Sequence, residues 1–327
     1  MKSLVTGGTG FIGGHLVKRL LEMGQEVRCL VRDPSRAAVL EHLGAEIITG
    51  STNNGLNWEP VLDGVNEVYH LAGVTRAKSN LEYYIGNQAG TRQLVEACRK
   101  YGSGLRRFLH VSSLAAVGPS EGKRPLSEDE PFHPVSHYGR SKMMGELEVL
   151  KIKDEIPITI LRPSIVFGPR ERDMFEYFRM IKGGVYPLVG FGTQWVNLLH
   201  SDDLIDGIIR ASKSERAVGE TYFVGSERQY TSQEIGETIA KVVGRQPIRI
   251  HIPTEFVIVC GAVSGAMGRI IGRAMFFNLQ KAREVTQSAW TCSVAKATEH
   301  FGFHQTLPLE ESFRKTYSWY VEHGWMA

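Results

Sequence analysis

Cysteine is scarce in this 327-residue chain. Cys29, Cys98, Cys260 and Cys292 lie far apart, and no two form a Cys-x-x-Cys pair. That excludes a disulfide-stapled framework and points to buried free thiols in a reducing compartment. The histidines show no His-Glu-x-x-His or other ligand spacing, so no metal site is expected. Excess charge is also missing: 38 basic against 35 acidic residues leave +3. So small a balance gives no reason to expect a nucleic-acid partner. The locally basic stretch RKYGSGLRRF (99–108) reads as a solvated loop. After "MK" the chain enters a strand and a glycine loop without the apolar core of a signal peptide, and a cytoplasmic location is expected. In the apolar segment 256–277 the charge-free part ends at Arg269. That is short of the roughly 20 residues a membrane span requires. A core helix or a substrate lid is the preferred reading, and peripheral membrane contact the lesser one. No internal repeat or low-complexity tract is present.

What the chain does have is 42% hydrophobic residues, enough for one large core or two smaller ones. In the first half apolar runs alternate with helical patterns. SLVTG (3–7), EVRCLV (26–31), AEIITG (45–50), NEVYHLAG (66–73), RFLHVSS (107–113) and PITILRPSIVFG (157–168) read as strands. Residues 11–24 carry apolar side chains at 12, 16, 17, 20 and 21, a helical period closed by Gly24. Further helices are expected over 35–44, over 87–102 and around Tyr138. Strands separated by helices of this length require parallel pairing with right-handed crossovers. The fold class is therefore α/β: a doubly wound parallel sheet with a smaller, discontinuous C-terminal lobe. Residues 1–168 form the dinucleotide-binding domain and 201–228 return to it; 169–200 and 229–327 are assigned to the substrate lobe.

VTGGTGFIGG (5–14) lies between the first strand and the first helix. Gly7, Gly10 and Gly13 fit Gly-x-x-Gly-x-x-Gly, and Gly8, Gly10 and Gly13 fit Gly-x-Gly-x-x-Gly. Glycine lets a pyrophosphate approach the backbone, and the helix N-terminus offers unpaired N–H groups. Thr9, Phe11 and Ile12 complete this loop. An acid ending the second strand would bind the ribose 2′-hydroxyl of NAD. Val31 stands there instead, followed by Arg32, with Arg36 nearby. A guanidinium pairs with the 2′-phosphate of NADP, so NADP is favoured over NAD. Asp33, before Pro34, reads as a turn initiator.

Taken in order, VTGGTGFIG, YHLAG (69–73), NQAGTRQLVEAC (87–98), VSSLAAVGP (111–119), YGRSK (138–142), LRPSIVFGP (161–169) and HSDDL (200–204) resemble the extended short-chain dehydrogenases/reductases. The tail 282–303 is similar to the 3β-hydroxysteroid dehydrogenase-like and dihydroflavonol-reductase-like branches. The resemblance implies a catalytic set of Ser113, Tyr138 and Lys142, with Ser112 as the rival serine. Four-residue spacing puts Tyr138 and Lys142 on one helix face. The ammonium is expected to lower the phenol from about 10 toward neutrality, as proton exchange with a substrate oxygen requires. By the same resemblance Lys142 holds the nicotinamide ribose, Leu71, Ala72 and Gly73 border the cofactor, and Pro163 and Ile165 lie against the nicotinamide. Asn87 is read as an N-cap or packing residue. Where the family often has Gly-Asp-Leu near adenine, this chain has Ser51. The family also implies a homodimer through the helices of 87–101 and 137–152.

For the substrate, sugar-nucleotide members usually carry an Arg just before His-x-Asp-Asp-Leu. Val196 occupies that place here and cannot neutralise a diphosphate. Leu114 and Ala115 follow Ser113, where dehydratases place Asp-Glu. Phe167, Met174, Phe175, Tyr186, Phe191 and Trp195 suit an apolar pocket for a steroid-, flavonoid- or lipid-like carbonyl compound, or else form the lobe's own core. Arg170 and Arg172 could bind a phosphate. The expectation is an NADP-preferring ketone/alcohol oxidoreductase. A nucleotide-sugar epimerase with retained NAD is the second reading, and a non-catalytic dinucleotide sensor the third.

Overall fold

Strand and helix alternate from the first residues because the apolar period alternates between two and 3.6. The computed structural model describes residues 1–53, 55–275 and 277–326. The first half runs β1 (Lys2–Thr6), α1 (Phe11–Glu22), β2 (Glu26–Val31), α2 (Ala38–His42), β3 (Glu46–Thr49), α3 (Glu59–Leu62), β4 (Glu67–His70), α4 (Asn80–Tyr84), α5 (Gly90–Tyr101), β5 (Arg107–Val111), α6 (Leu114–Val117), α7 (His137–Leu150) and β6 (Ile158–Pro163). The second runs β7 (Ile165–Phe167), α8 (Arg172–Lys182), β8 (Val185–Val189), β9 (Trp195–Val196), β10 (Leu198–His200), α9 (Ser201–Lys213), β11 (Glu220–Val224), β12 (Tyr230–Thr231), α10 (Ser232–Val243), β13 (Ile248–Ile252), α11 (Thr254–Ile270), α12 (Leu279–Val285), β14 (Ala289–Trp290), α13 (Ala295–Phe301) and α14 (Leu309–Glu322).

Seven strands pair in the order β11-β6-β5-β4-β1-β2-β3, all parallel. Neighbouring residues of β1 face opposite layers. Val5 packs with Leu16, Val17, Leu204 and Ile208 under α1 and α9, while Leu4 packs with Leu94, Phe108 and Val149 under α5 and α7. Each such buried side chain contributes roughly 1.5–3 kcal/mol of transfer free energy. The strand order reverses between β1 and β4, so the crevice at their C-terminal ends is the expected ligand site.

Two elements differ from the sequence reading. The run 157–168 is two strands. β6 keeps register with β5 to Leu161 and with β11 to Pro163, beyond which neither neighbour remains. The chain then pairs Ile165–Phe167 with β10 and enters the small lobe. Within 201–228, β11 pairs with β6 at the sheet edge and α9 packs on the sheet, and part of 229–327 packs there too. Ala297, Phe301 and Phe303 of the α13 region bury against Tyr222 and Ile208 in the Rossmann layer. The small lobe has its own core of Phe167, Met174, Phe178, Tyr186, Phe313 and Tyr320. Among the described residues no helix is long and apolar enough to cross a membrane.

Candidate active site

The loop after β1 is held by glycines for a geometric reason. A Cβ on Gly13 would stand 2.1 Å from the Gly7 carbonyl oxygen. One on Gly7, at φ +79°, would meet the Leu71–Ala72 backbone at 2.7 Å. Leu71 and Ala72, after β4, therefore lie directly against the loop, while a Cβ on Gly73 would meet Asn87 Oδ1 at 2.9 Å and Lys142 Nζ at 4.0 Å. Gly10 is the N-cap of α1 and provides no side-chain cap, and the first helical bond runs from Gly14 N to Gly10 O. The N–H groups of Phe11, Ile12 and Gly13 thus head the helix without a capping side chain, the cradle a pyrophosphate fits. Thr9 flanks it, partly buried.

At the ends of β2 and β3 a cleft of about 460 Å³ is lined by Arg32, Thr49, Gly50, Ser51, Leu56 and Ile85 among others. Arg32 and Arg36 are exposed. Asp33 accepts bonds from Ser35 N (3.1 Å) and Ser35 Oγ (2.7 Å), so it does initiate the turn. Arg170, at φ 75°, reaches over the start of α1: a Cβ on Gly14 would come within 2.5 Å of its Nη1. Burial, and secondarily Arg36, lower its pKa, which places two guanidiniums in one field. Arg172 turns away, 5.9 Å above the Trp325 ring.

Ser113 ends the extension of β5 and caps α6, its Oγ accepting from Ala115 N at 3.1 Å. α7 begins at its own cap, Ser136, whose Oγ accepts from Gly139 N at 2.9 Å. Gly139 lets α7 come close, since a Cβ there would stand 2.2 Å from the Ala115 carbonyl oxygen. That approach sets the Tyr138 phenol beside Ser113, whose hydroxyl favours its ionised form. Ser112, by contrast, is buried, and its Oγ has no partner among the described residues.

Lys142 is buried one turn below Tyr138, and its Nζ donates to the Val111 carbonyl at 2.8 Å. Burial lowers its pKa to about 8, and Glu146 pulls the other way. Glu146 is itself held by Arg162, with Nη2 to Oε2 at 2.8 Å. The expected drop of the phenol toward neutrality is not what the structure shows. Burial pushes Tyr138 up to about 12; the Ser113 hydroxyl lowers it and Glu284 raises it. The physical reason is that the lysine's donor is directed at Val111 while the phenol loses hydration.

Asn87 is not an N-cap. It sits in a π-turn over Ile85–Ala89 and brackets the site, bonding Val74 N (2.6 Å), Val74 O (3.0 Å) and Ser141 Oγ (2.8 Å). Pro163 is buried at the end of β6, and Ile165 is 42% exposed beyond it. Of the two readings of the lobe aromatics, the lobe's own core holds for most of them. Phe167, Met174 and Tyr186 are buried in the lobe core with Phe175 packed against them, while Phe191 is 78% exposed. Trp195 lies in β9, with Lys123 Nζ 4.3 Å from its ring centroid.

Sequence reasoning missed the groups that roof Tyr138. The Tyr83 ring lies 6.1 Å away, and α12 supplies Glu284, which accepts from Ser136 Oγ at 2.6 Å, and Gln280, which accepts from His137 N at 2.8 Å. Lys281 of the same helix lies 3.3 Å from Asp173. None of these carries a motif, and α12 is more than 130 residues from Tyr138 in sequence.

A ceramide reductase of Caulobacter vibrioides is 29% identical over 98% of this chain and 95% of its own. A protein of Bacillus subtilis described as an uncharacterized UDP-glucose epimerase, YtcB, is 30% identical over 75% of this chain and 83% of its own. In fold, the crystal structure of a UDP-glucuronic acid 4-epimerase from Bacillus cereus, in complex with UDP-glucuronic acid and NAD, superposes with TM-score 0.79 at 24% identity, covering 99% of this chain and 100% of its own. Residues 3–225 match the NAD dependent epimerase/dehydratase family, and this chain, an extended short-chain dehydrogenase/reductase by fold and motif order, belongs to that family.

Proposed function

We infer that this chain reduces a ketone on an apolar, lipid-like molecule to a secondary alcohol, with NADP favoured as hydride carrier. The observation that carries the reading is the Ser113–Tyr138 pair. A phenol held at about 12 is protonated at neutral pH, the state that can donate to a carbonyl oxygen gaining negative charge. Ser113 offers a hydroxyl to the same oxygen and so polarises the carbonyl. Lys142 and Glu146 sit buried at successive four-residue steps behind Tyr138. The bound dinucleotide supplies the hydride. Its pyrophosphate would rest on Gly10–Gly13, its adenosine end beside Arg32, Arg36 and Ser51, and its nicotinamide near Pro163 and Ile165. Arg32 and Arg36 favour a 2′-phosphate there.

An apolar substrate is supported by Val196. It is paired in β9 with β12 and β14 and packed against the lobe core, offering no charge to a diphosphate. The likeness to a ceramide reductase over nearly the whole chain points the same way. The relative described as a UDP-glucose epimerase favours the second reading, a sugar-nucleotide epimerase with retained NAD. The test is NADPH consumption with long-chain and cyclic ketones set beside UDP-sugar turnover. Ketone-dependent NADPH loss is the expected result. Epimerisation of a UDP-sugar by protein that purifies with NAD overturns it. A homodimer through α5 and α7 belongs to this proposal: Leu147 on the outer side of α7 is 44% exposed. A monomer in sedimentation at micromolar concentration refutes that part.

A further inference from the structure

The helix α11 carries an apolar stripe on its outer side. Phe256, Val259, Val263, Met267, Ile270 and the following Ile271 are each between 55% and 86% exposed. Their spacing of three and four residues keeps them on one face along about 25 Å of helix. In the 17 residues of α11 the charged side chains are Glu255 in the first turn and Arg269 in the last, and Arg273 follows just beyond. Both arginines are exposed and no ion pair involves either among the described residues. An exposed apolar row of this size is unusual on a protein surface and marks a contact.

The inner side of α11 buries Val257, Gly261 and Gly268. Gly261 lies so close to α12 that a Cβ would come within 2.6 Å of Ala282 Cβ. α12 in turn bonds the start of α7 through Gln280 and Glu284, and Asn278 before it lies beside Tyr83 and favours the ionised form of its phenol. The α11–α12 hairpin is therefore a roof: one side faces Tyr138 and the other presents the apolar stripe.

We propose that the outer face of α11 docks on an anionic phospholipid bilayer and sets the active-site roof against it. The chemistry on the page selects this occupant. Six apolar side chains on one convex helix fall short of the roughly 20–30 residues a side of a standard protein interface. They suit shallow insertion into the boundary between headgroups and acyl chains. The basic end, with Arg269 and Arg273, complements anionic headgroups, each arginine changing partitioning roughly five-fold. Its usefulness for delivering an apolar substrate rests on the reductase reading, but the docking itself does not.

The experiment is flotation of the full chain with vesicles of phosphatidylcholine alone or with about one third phosphatidylglycerol. The wild type is expected to float with the anionic vesicles and less with the neutral ones. The double variant Val259→Glu/Val263→Glu, at exposed positions, is expected to lower the bound fraction at least about tenfold with unchanged melting temperature. Arg269→Gln/Arg273→Gln is expected to erase the preference for phosphatidylglycerol. Wild type that stays unbound with both vesicle types overturns the proposal. So does a glutamate pair that turns a dimer into a monomer in sedimentation while vesicle binding stays the same, because the face then belongs to a second copy. Binding without ketone turnover would leave the docking intact and count against the reductase reading. Turnover without binding would do the reverse.

Discussion

Replacing Lys142 by Met should make the protein more stable and inactive. The lysine is buried, and folding lowers its pKa from 10.5 to about 8. The unfolded chain therefore holds this proton more tightly than the folded one. At about 1.4 kcal/mol per decade, keeping the ammonium inside costs about 3 kcal/mol near pH 7. That cost is in full force below about pH 8 and fades as pH rises toward 10.5. Methionine has a similar unbranched stem and fills the same channel without a charge. Against the gain stand the lost bond to the Val111 carbonyl and that carbonyl's unmet acceptor, about 1 kcal/mol or somewhat more. Glu146 keeps Arg162 as its partner, so no orphan carboxylate is created. The expected net gain is about 1–2 kcal/mol near pH 7, shrinking by about 2 kcal/mol by about pH 9.5. Urea unfolding of both proteins across that range measures it. A methionine variant that is less stable at neutral pH, or a difference that does not move with pH, refutes the reasoning. Such a trade of stability for function is common at active sites.

Tyr138→Phe should lower ketone turnover roughly a hundred- to ten-thousand-fold while leaving dinucleotide affinity in place, because only the proton donor is lost; steady-state rates with a binding titration decide, and near-normal turnover rejects the assignment. Gly13→Ala places a methyl 2.1 Å from the Gly7 carbonyl oxygen, so the loop must open. Loss of dinucleotide binding is expected, with a destabilisation of about 1–3 kcal/mol by thermal melting, and wild-type affinity would be incompatible with the cradle. Arg32→Ala should weaken NADP by more than about tenfold and NAD far less, read by fluorescence titration with each; equal losses would remove the 2′-phosphate contact. Reductive turnover should decline as pH rises through about 8, where Lys142 loses its charge, and a rate flat to pH 10 would separate that charge from the reaction.

The doubly wound sheet and the phosphate loop were legible in the residues alone. Apolar periodicity is a local property, and so is the need for glycine in a turn that touches its own helix: Gly7 and Gly13 sit within one short loop. The motif order likewise singled out Ser113, Tyr138 and Lys142, which lie at a strand end and on one helix face. What the chain could not announce depends on packing between distant segments. Whether Phe167 lines a pocket or fills a core is decided by what lies opposite it, and that proved to be Phe313 from the last helix. The phenol's acidity followed the same rule. A lysine four residues away is a sequence fact, but its ammonium is aimed at Val111 and the ring is desolvated by a roof drawn from residues 278–284. Electrostatics is set by distance and dielectric in space, so only the folded chain could decide it.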